Sequence, residues 1–228
     1  MAGFYAHIST SSALGVGVGV FGFYYLGYDW GACCLAGGLT AIGGMLPDLD
    51  SDSGIPVREM FGLAGLLVPL LLIERLQARG FRAEQLLVLL AATYFVIRYG
   101  VAEMFRKVTV HRGMFHSVPA LLIAGLIVFL AHRPDHVLPA DEMRKRMFFA
   151  LGTMIGFLSH LVLDELCSVD LLGVVPKLNQ FAGSALKLTS QSWPATLFTY
   201  TILCVLGYFA WLSAGSPTDW QLVSQTTK

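Results

Sequence analysis

The chain has 228 residues, of which 55% are hydrophobic and 13% are charged, and its formal net charge at pH 7 is zero. Soluble domains carry roughly 25% charged residues, so this chain has too little polar surface for a water-soluble globule. The composition predicts an all-α, multi-spanning transmembrane bundle, and zero net charge gives no reason to expect a nucleic-acid partner.

Seven apolar stretches approach the length of about 20 residues that a helix needs to cross a membrane. They lie near residues 12–28, 30–46, 60–73, 85–101, 117–131, 147–163 and 195–213. Because the third and fifth are short, we expect five to seven spans. One transmembrane domain is predicted over residues 1–213, followed by a polar tail over residues 214–228. No Lys or Arg precedes the first apolar run, so we expect this end to be retained rather than cleaved as a signal peptide.

Glycines recur at four-residue spacing in the first and sixth stretches, as Gly15 with Gly19 and as Gly152 with Gly156. Small residues at this spacing let membrane helices approach closely. We expect ordinary helix packing at these positions.

With seven spans, the connecting segments alternate between two membrane faces. One face, called face A, receives the N-terminus and residues 47–59, 102–116 and 164–194. Face B receives residue 29, residues 74–84 and 132–146, and the C-terminal tail. His132 and His136 lie in the 132–146 loop, which is expected to be solvated. Most His residues and the clustered Asp residues fall on or near face A. Slightly more Lys and Arg lie on face B, so the positive-inside rule places face B in the cytoplasm and face A outside it.

Three carboxylates follow the second stretch at alternate positions, as Asp48, Asp50 and Asp52, directly after Pro47. Proline tends to end the preceding helix, which leaves these acids just outside a membrane-embedded segment. Closely spaced acids near lipid repel one another and favour a divalent cation as a partner. The alternative interpretation is a solvated acidic turn.

Two histidines, His111 and His116, flank a glycine turn in the sequence HRGMFHS. Their five-residue separation does not share one face of a regular helix, but the turn can bring the two imidazoles together. Arg112 would add a planar donor fork suited to a phosphate or a carboxylate. The alternative is an interfacial basic patch.

The sixth stretch ends with His160 and Asp164, which lie on one helix face at i and i+4. Ionisable groups at the end of an apolar helix are costly and indicate a functional site, although a structural His–Asp hydrogen bond is the alternative. His7 is assigned to the same face, and by itself it could be an incidental interfacial residue. Mixed imidazole and carboxylate ligands suit zinc, manganese or iron better than calcium.

The ordered motifs LPDLDSD, HRGMFHS and HLVLDELCS, preceded by an early histidine, resemble the YdjM family of LexA-regulated, membrane-bound, metal-dependent hydrolases over roughly residues 7–170. The chain is also similar, more loosely, to zinc-dependent phospholipase C and P1-type nucleases. The family resemblance implies metal-binding or catalytic roles for a set of matching positions. That set is His7, Asp48, Asp50, His111, His116, His160 and Asp164.

The predicted function is metal-dependent hydrolysis of a phosphoester in a lipid or lipid-linked substrate at a bacterial inner membrane. One or two divalent cations are expected, zinc first, with manganese or magnesium also possible. Arg112 would stabilise the developing phosphoryl charge, and Asp52 is a candidate general base. Two alternatives stay open: a cation or proton transporter lined by His and Asp, and a non-catalytic metal-binding membrane protein. The substrate and the oligomeric state do not follow from the sequence.

Overall fold

The structure is a computed structural model that describes residues 3–50, 55–104, 114–131, 140–167, 169–170, 177–178, 187–189 and 192–214. Within these ranges the chain forms seven α-helices, and each corresponds to one of the seven apolar stretches. The helices are α1 Phe4–Tyr24, α2 Trp30–Gly43, α3 Ile55–Ala78, α4 Ala83–Phe95, α5 Val118–Ala131, α6 Ala140–Leu166 and α7 Trp193–Ser213. The predicted all-α transmembrane bundle is confirmed as a fold class.

Shorter elements complete the description. A 3₁₀ turn covers Pro47–Asp50, and α4 continues as a π-helix over Val96–Val101. Two short strands, β1 Val169–Asp170 and β2 Lys177–Leu178, pair antiparallel.

Four helical stretches among the described residues are long and apolar enough to cross a membrane. They are Phe4–Tyr25, Ala83–Met104, Met143–Leu166 and Trp193–Ser213. The apolar helices α2 and α5 each have 14 residues, which is shorter than a full span.

Helix α1 begins eight residues before the predicted span, so His7 lies in a helix rather than in a segment that precedes one. The serines near its start allow this because their hydroxyls bond within the helix. Ser9 Oγ donates to the Tyr5 carbonyl at 2.6 Å, while Ser11 Oγ lies 3.3 Å from the Ile8 carbonyl oxygen and 3.2 Å from that of Ala41 in α2. Such back-bonding satisfies hydroxyls that would otherwise favour a turn.

Two glycines with positive φ lie in the connections that follow α1 and α3. Gly27 has φ +68° and lies in the turn to α2, while Gly80 has φ +83° and lies between α3 and α4. A residue with a Cβ rarely adopts this left-handed conformation, so glycine at these two positions lets the chain reverse direction within a few residues.

The chain divides into two compact units, which are described separately. The first unit contains Met1–Pro47 and His116–Lys228, and the second contains Asp48–Phe115. The prediction of one domain over residues 1–213 stays a prediction.

In the first unit, α6 packs against α1, α2 and α5, and α5 also packs against α7. Glycines allow the closest approaches, because a Cβ on Gly15 would overlap the Gly37 backbone and a Cβ on Gly156 would overlap the Thr40 carbonyl. The predicted packing role of Gly15 and Gly156 follows from these contacts. Leu121, Phe157 and Leu161 belong to an apolar cluster between α5 and α6.

Arg146 lies near the N-terminal end of α6. The sequence alone places it in a basic connection on face B. Its side chain is only 1% exposed. Arg146 Nε donates to the Phe129 carbonyl at 3.0 Å, and its guanidinium also bonds the Ser213 carbonyl and hydroxyl. The residue therefore satisfies carbonyls at the C-terminal ends of α5 and α7, which no helix can satisfy for itself.

In the second unit, α3 packs along α4 and its π-helical continuation. Gly65 of α3 faces the Tyr94 ring, and Gly62 faces the Arg98 side chain. Pro69 lies inside α3.

Candidate metal centre

Three helix ends of the first unit bring together three histidines and one aspartate. His7 lies in the second turn of α1, His116 lies two residues before α5, and His160 and Asp164 lie in the last two turns of α6. Local bonds position the start of α5, since Ser117 Oγ accepts from the Ala120 amide at 3.3 Å. We call His7, His116, His160 and Asp164 the His/Asp cluster.

The Asp164 carboxylate is the centre of the cluster. Its Oδ1 lies 3.3 Å from His7 Nε2, and its Oδ2 lies 3.7 Å from His160 Nε2 and 3.9 Å from His116 Nε2. The His7 and His160 rings are stacked, with centroids 3.6 Å apart and planes 15° apart. The His116 ring meets the His160 ring edge-on at 5.5 Å. One carboxylate thus contacts three imidazoles from three separate parts of the sequence.

The orientation of His160 is set by the backbone of the segment after α2. Its Nδ1 lies 2.7 Å from the carbonyl oxygen of Gly44. A carbonyl can only accept, so Nδ1 donates to it, and Nε2, which faces Asp164, is the nitrogen that can offer a lone pair to a metal ion. Histidine ligands of metals are commonly held in this way, with the second nitrogen donating to a backbone carbonyl.

The cluster is buried. His160 is 1% exposed, His7 and His116 are 3% exposed, and Asp164 is 5% exposed. An ionised carboxylate at such a site needs a compensating positive charge. A protonated imidazole or a metal cation could supply it, but two imidazolium rings stacked 3.6 Å apart would repel each other.

The donor set fits a divalent cation. One ligand atom from each of His7, His160 and Asp164 lies within 4.8 Å of the others, a spacing that could hold one ion. Among the described residues, no hydrogen-bond partner is found for the buried His7 Nδ1. Imidazole with carboxylate is a ligand combination of zinc, manganese and iron sites.

The remaining predicted site residues belong to the second unit or lie outside the described part of the chain. Asp48 is half-buried in the 3₁₀ turn of the second unit, and of Asp50 only the backbone is described. Asp52, His111 and Arg112 lie outside the described residues. Their assignments stay predictions.

Exposed aromatic residues indicate the depth of the cluster in the bilayer. Tyr5 lies two residues before His7, and Tyr25 lies at the other end of α1; both are more than three-quarters exposed. Twenty residues of helix separate them, which is about 30 Å and equals the usual hydrocarbon thickness. Exposed Trp193 and Trp211 lie near the two ends of α7. Aromatic side chains prefer the membrane–water interfaces, so we expect one interface near Tyr5 and His7.

The sequence did not indicate the backbone contribution of Gly44. The adjacent glycines Gly43 and Gly44 are the feature of the sequence that could have indicated a close helix contact here. In the structure, both lie where the end of α2 approaches other helices too closely for a Cβ. A Cβ on Gly44 would overlap the Ser11 side chain, and one on Gly43 would overlap the Thr153 carbonyl. Spacing alone cannot tell which histidine a carbonyl will reach across the bundle.

Comparison with known proteins agrees with the resemblance seen in the motifs. No curated protein and no solved structure matches the chain. A model of the YdjM inner membrane protein family matches residues 1–223, which is nearly the whole chain. The chain therefore belongs to the YdjM inner membrane protein family.

Proposed function

We propose that this protein is a membrane-bound, metal-dependent hydrolase whose His/Asp cluster binds a divalent cation. Zinc is the first choice, and manganese and magnesium are alternatives. The observation that carries the proposal is the 2.7 Å contact between His160 Nδ1 and the Gly44 carbonyl, which leaves the Nε2 lone pair facing the Asp164 carboxylate. Histidines that bind metals commonly donate their second ring nitrogen to a backbone carbonyl in this way, which supports a ligand role for His160.

The proposed chemistry divides the work between the cation and the chain. A bound divalent cation lowers the pKa of coordinated water and polarises a phosphoryl or carbonyl oxygen. His7, His116, His160 and Asp164 would hold the cation, and their burial would keep bulk water away and strengthen electrostatic interactions at the site. The packing of α1, α5 and α6 would maintain the ligands in one geometry.

A lipid or lipid-linked phosphoester is the proposed substrate class. His7 lies two residues from the exposed Tyr5, and an interfacial position of this tyrosine would put a site built on His7 close to the headgroup region. An amphiphile that diffuses laterally in the membrane reaches this depth without leaving the bilayer. The likeness to zinc-dependent phospholipase C and P1-type nucleases is of the same chemical kind and stays a hypothesis.

The remaining sequence-based assignments belong to the same proposal. Asp48, Asp50 and His111 are proposed as further ligands of one or two cations. Arg112 is proposed to stabilise phosphoryl charge, and Asp52 is a candidate general base. The proposed orientation places the site on the non-cytoplasmic side of the inner membrane, following the positive-inside rule.

A transporter is less well supported by the interior of the first unit. Among the residues of this unit whose side chains are described, the buried His and Asp side chains all belong to the His/Asp cluster. No second buried group of these residue types lies along the described helices to form an ion pathway. A non-catalytic metal-binding protein would keep the same ligands but show no turnover.

The test combines metal analysis with a substrate screen on the purified full-length protein in detergent or nanodiscs. Asp164→Asn removes the central charge at nearly constant volume, and Asp29→Asn makes the same change in the exposed turn before α2 as a matched control. We expect Asp164→Asn to lower zinc affinity and hydrolysis of phosphatidyl substrates about 10–100-fold. His160→Ala should do the same, with His136→Ala as the control from the predicted solvated loop.

Four outcomes would count against the proposal. Wild-type protein that purifies and hydrolyses substrate without a metal would refute the metal requirement. Equal loss of zinc in Asp164→Asn and Asp29→Asn would show that the cluster is not the binding site. Zinc binding without hydrolysis across the screen would favour the non-catalytic alternative, and net ion flux in proteoliposomes would favour transport.

A further inference from the structure

An arginine inside the span of the second unit has no role in the proposed function. Arg98 lies within the apolar stretch Ala83–Met104 and is half-buried. Six residues separate it from Met104, so its Cα lies roughly 9 Å inside that end of the span. A charge at such a depth is costly and indicates a function unless the side chain finds a partner.

The aliphatic stem of Arg98 packs against neighbouring residues, but the described residues provide no hydrogen-bond acceptor for its guanidinium. A Cβ on Gly62 of α3 would lie 3.4 Å from Arg98 Nε, so the absence of a side chain at Gly62 makes room for the arginine. The guanidinium carbon lies 5.4 Å from the centroid of the Tyr99 ring. Within the described part of the chain, we find no carboxylate or carbonyl that accepts a hydrogen bond from the Arg98 guanidinium.

The helix is irregular at this point. Arg98 lies in the π-helix Val96–Val101, which interrupts the α-helical hydrogen-bond pattern of the span. Single π-helical turns are uncommon and frequently occur at functional sites. A second arginine of the same unit shows the contrast, because Arg58 is exposed and bonds the Glu59 carboxylate at 2.9 Å.

We propose that the Arg98 guanidinium binds the phosphate group of an anionic phospholipid from the leaflet at the Met104 end of the span. Phosphate oxygens match the planar donor fork of arginine and accept two parallel hydrogen bonds. An arginine side chain can extend toward the interface while its stem stays among apolar groups, which brings the head to headgroup depth. A lipid with net negative charge also neutralises the guanidinium. This site does not depend on the proposed hydrolase.

The test measures lipid retention by native mass spectrometry of the full-length protein, released from detergent with added phosphatidylglycerol. We expect wild-type protein to retain one phosphatidylglycerol that Arg98→Gln binds about tenfold or more weakly. Arg98→Lys keeps the charge but loses the fork, so its affinity should be intermediate. Arg58→Gln removes an arginine that already has an acceptor and should match the wild type.

Each other outcome would overturn the assignment. Equal retention by Arg98→Gln and wild type would exclude Arg98 as the lipid site. Equal losses in Arg98→Gln and Arg58→Gln would indicate a general charge effect. Displacement of the lipid by millimolar inorganic phosphate would assign the site to free phosphate, and equal retention of phosphatidylcholine would remove the preference for anionic lipid. Helical circular dichroism of every variant checks that the fold is intact.

Discussion

Gly156→Ala tests whether the close packing of α2 and α6 holds the His/Asp cluster in place. An added Cβ would lie 2.8 Å from the Thr40 carbonyl carbon and 3.0 Å from the Gly44 amide nitrogen, and still closer to the Thr40 oxygen. Carbon atoms in contact normally stay about 3.5–4.0 Å apart. The two helices must therefore separate by roughly 1 Å, judged from these contact distances.

His160 lies one turn from Gly156 on the same face of α6, so this separation acts directly on its hydrogen bond. A shift of roughly 1 Å would lengthen the 2.7 Å contact between His160 Nδ1 and the Gly44 oxygen beyond useful range. Overpacking costs about 1–3 kcal/mol, and loss of the hydrogen bond adds about 1 kcal/mol. We expect a total loss of about 2–4 kcal/mol in stability and about 10–100-fold in zinc affinity.

The assay compares thermal unfolding in detergent and zinc affinity for Gly156→Ala and Gly38→Ala. Gly38 lies on α2 with open space where an added Cβ would lie, so alanine there should be neutral or slightly stabilising. Wild-type melting temperature and zinc affinity in Gly156→Ala would refute the argument that this contact positions His160.

Two further predictions concern the other end of the first unit. Arg146→Met should lower stability by about 2–4 kcal/mol, because the carbonyls of Phe129 and Ser213 lose a charged donor, yet metal content should be unchanged; thermal unfolding and metal analysis check both. The Ala32 amide, which donates to the Asp29 side chain, lowers the pKa of that carboxyl below its ordinary value of 3.8. This capping contribution is therefore present above the unfolded-state pKa and is lost as pH falls through the folded-state pKa. Hydrogen exchange at the Ala32 amide measures this cap. Its protection factor should fall in acid for the wild type but not for Asp29→Asn. Identical pH profiles in the two proteins would contradict the capping role of the Asp29 carboxylate.

Much of the fold could be predicted because membrane insertion depends on local composition. Each apolar stretch partitions into lipid as a helix that satisfies its own backbone, whatever its neighbours are. All seven predicted stretches are helices in the structure. The predicted starts of α1 and α6 were less accurate, since both helices begin several residues earlier in the structure. At α1 a serine hydroxyl bonds back to the helix, and in α6 the burial of Arg146 depends on acceptors from two other helices.

Part of the candidate site could also be predicted from the sequence, because it depends on local helix geometry. His160 and Asp164 are one helical turn apart, so their proximity follows from helix geometry alone. His7 and His116 come from distant segments, and the family resemblance grouped them with this pair without showing how they meet.

The sequence by itself determined the membrane class, the helical content and the residue types available for a metal centre, because hydrophobicity and helix spacing act over a single segment. Only the tertiary structure decided that His7 stacks on His160, that the Gly44 carbonyl selects the tautomer of His160, and that Arg146 joins two helix ends. These features depend on contacts between segments tens of residues apart, and such contacts arise from how the helices pack rather than from any local pattern.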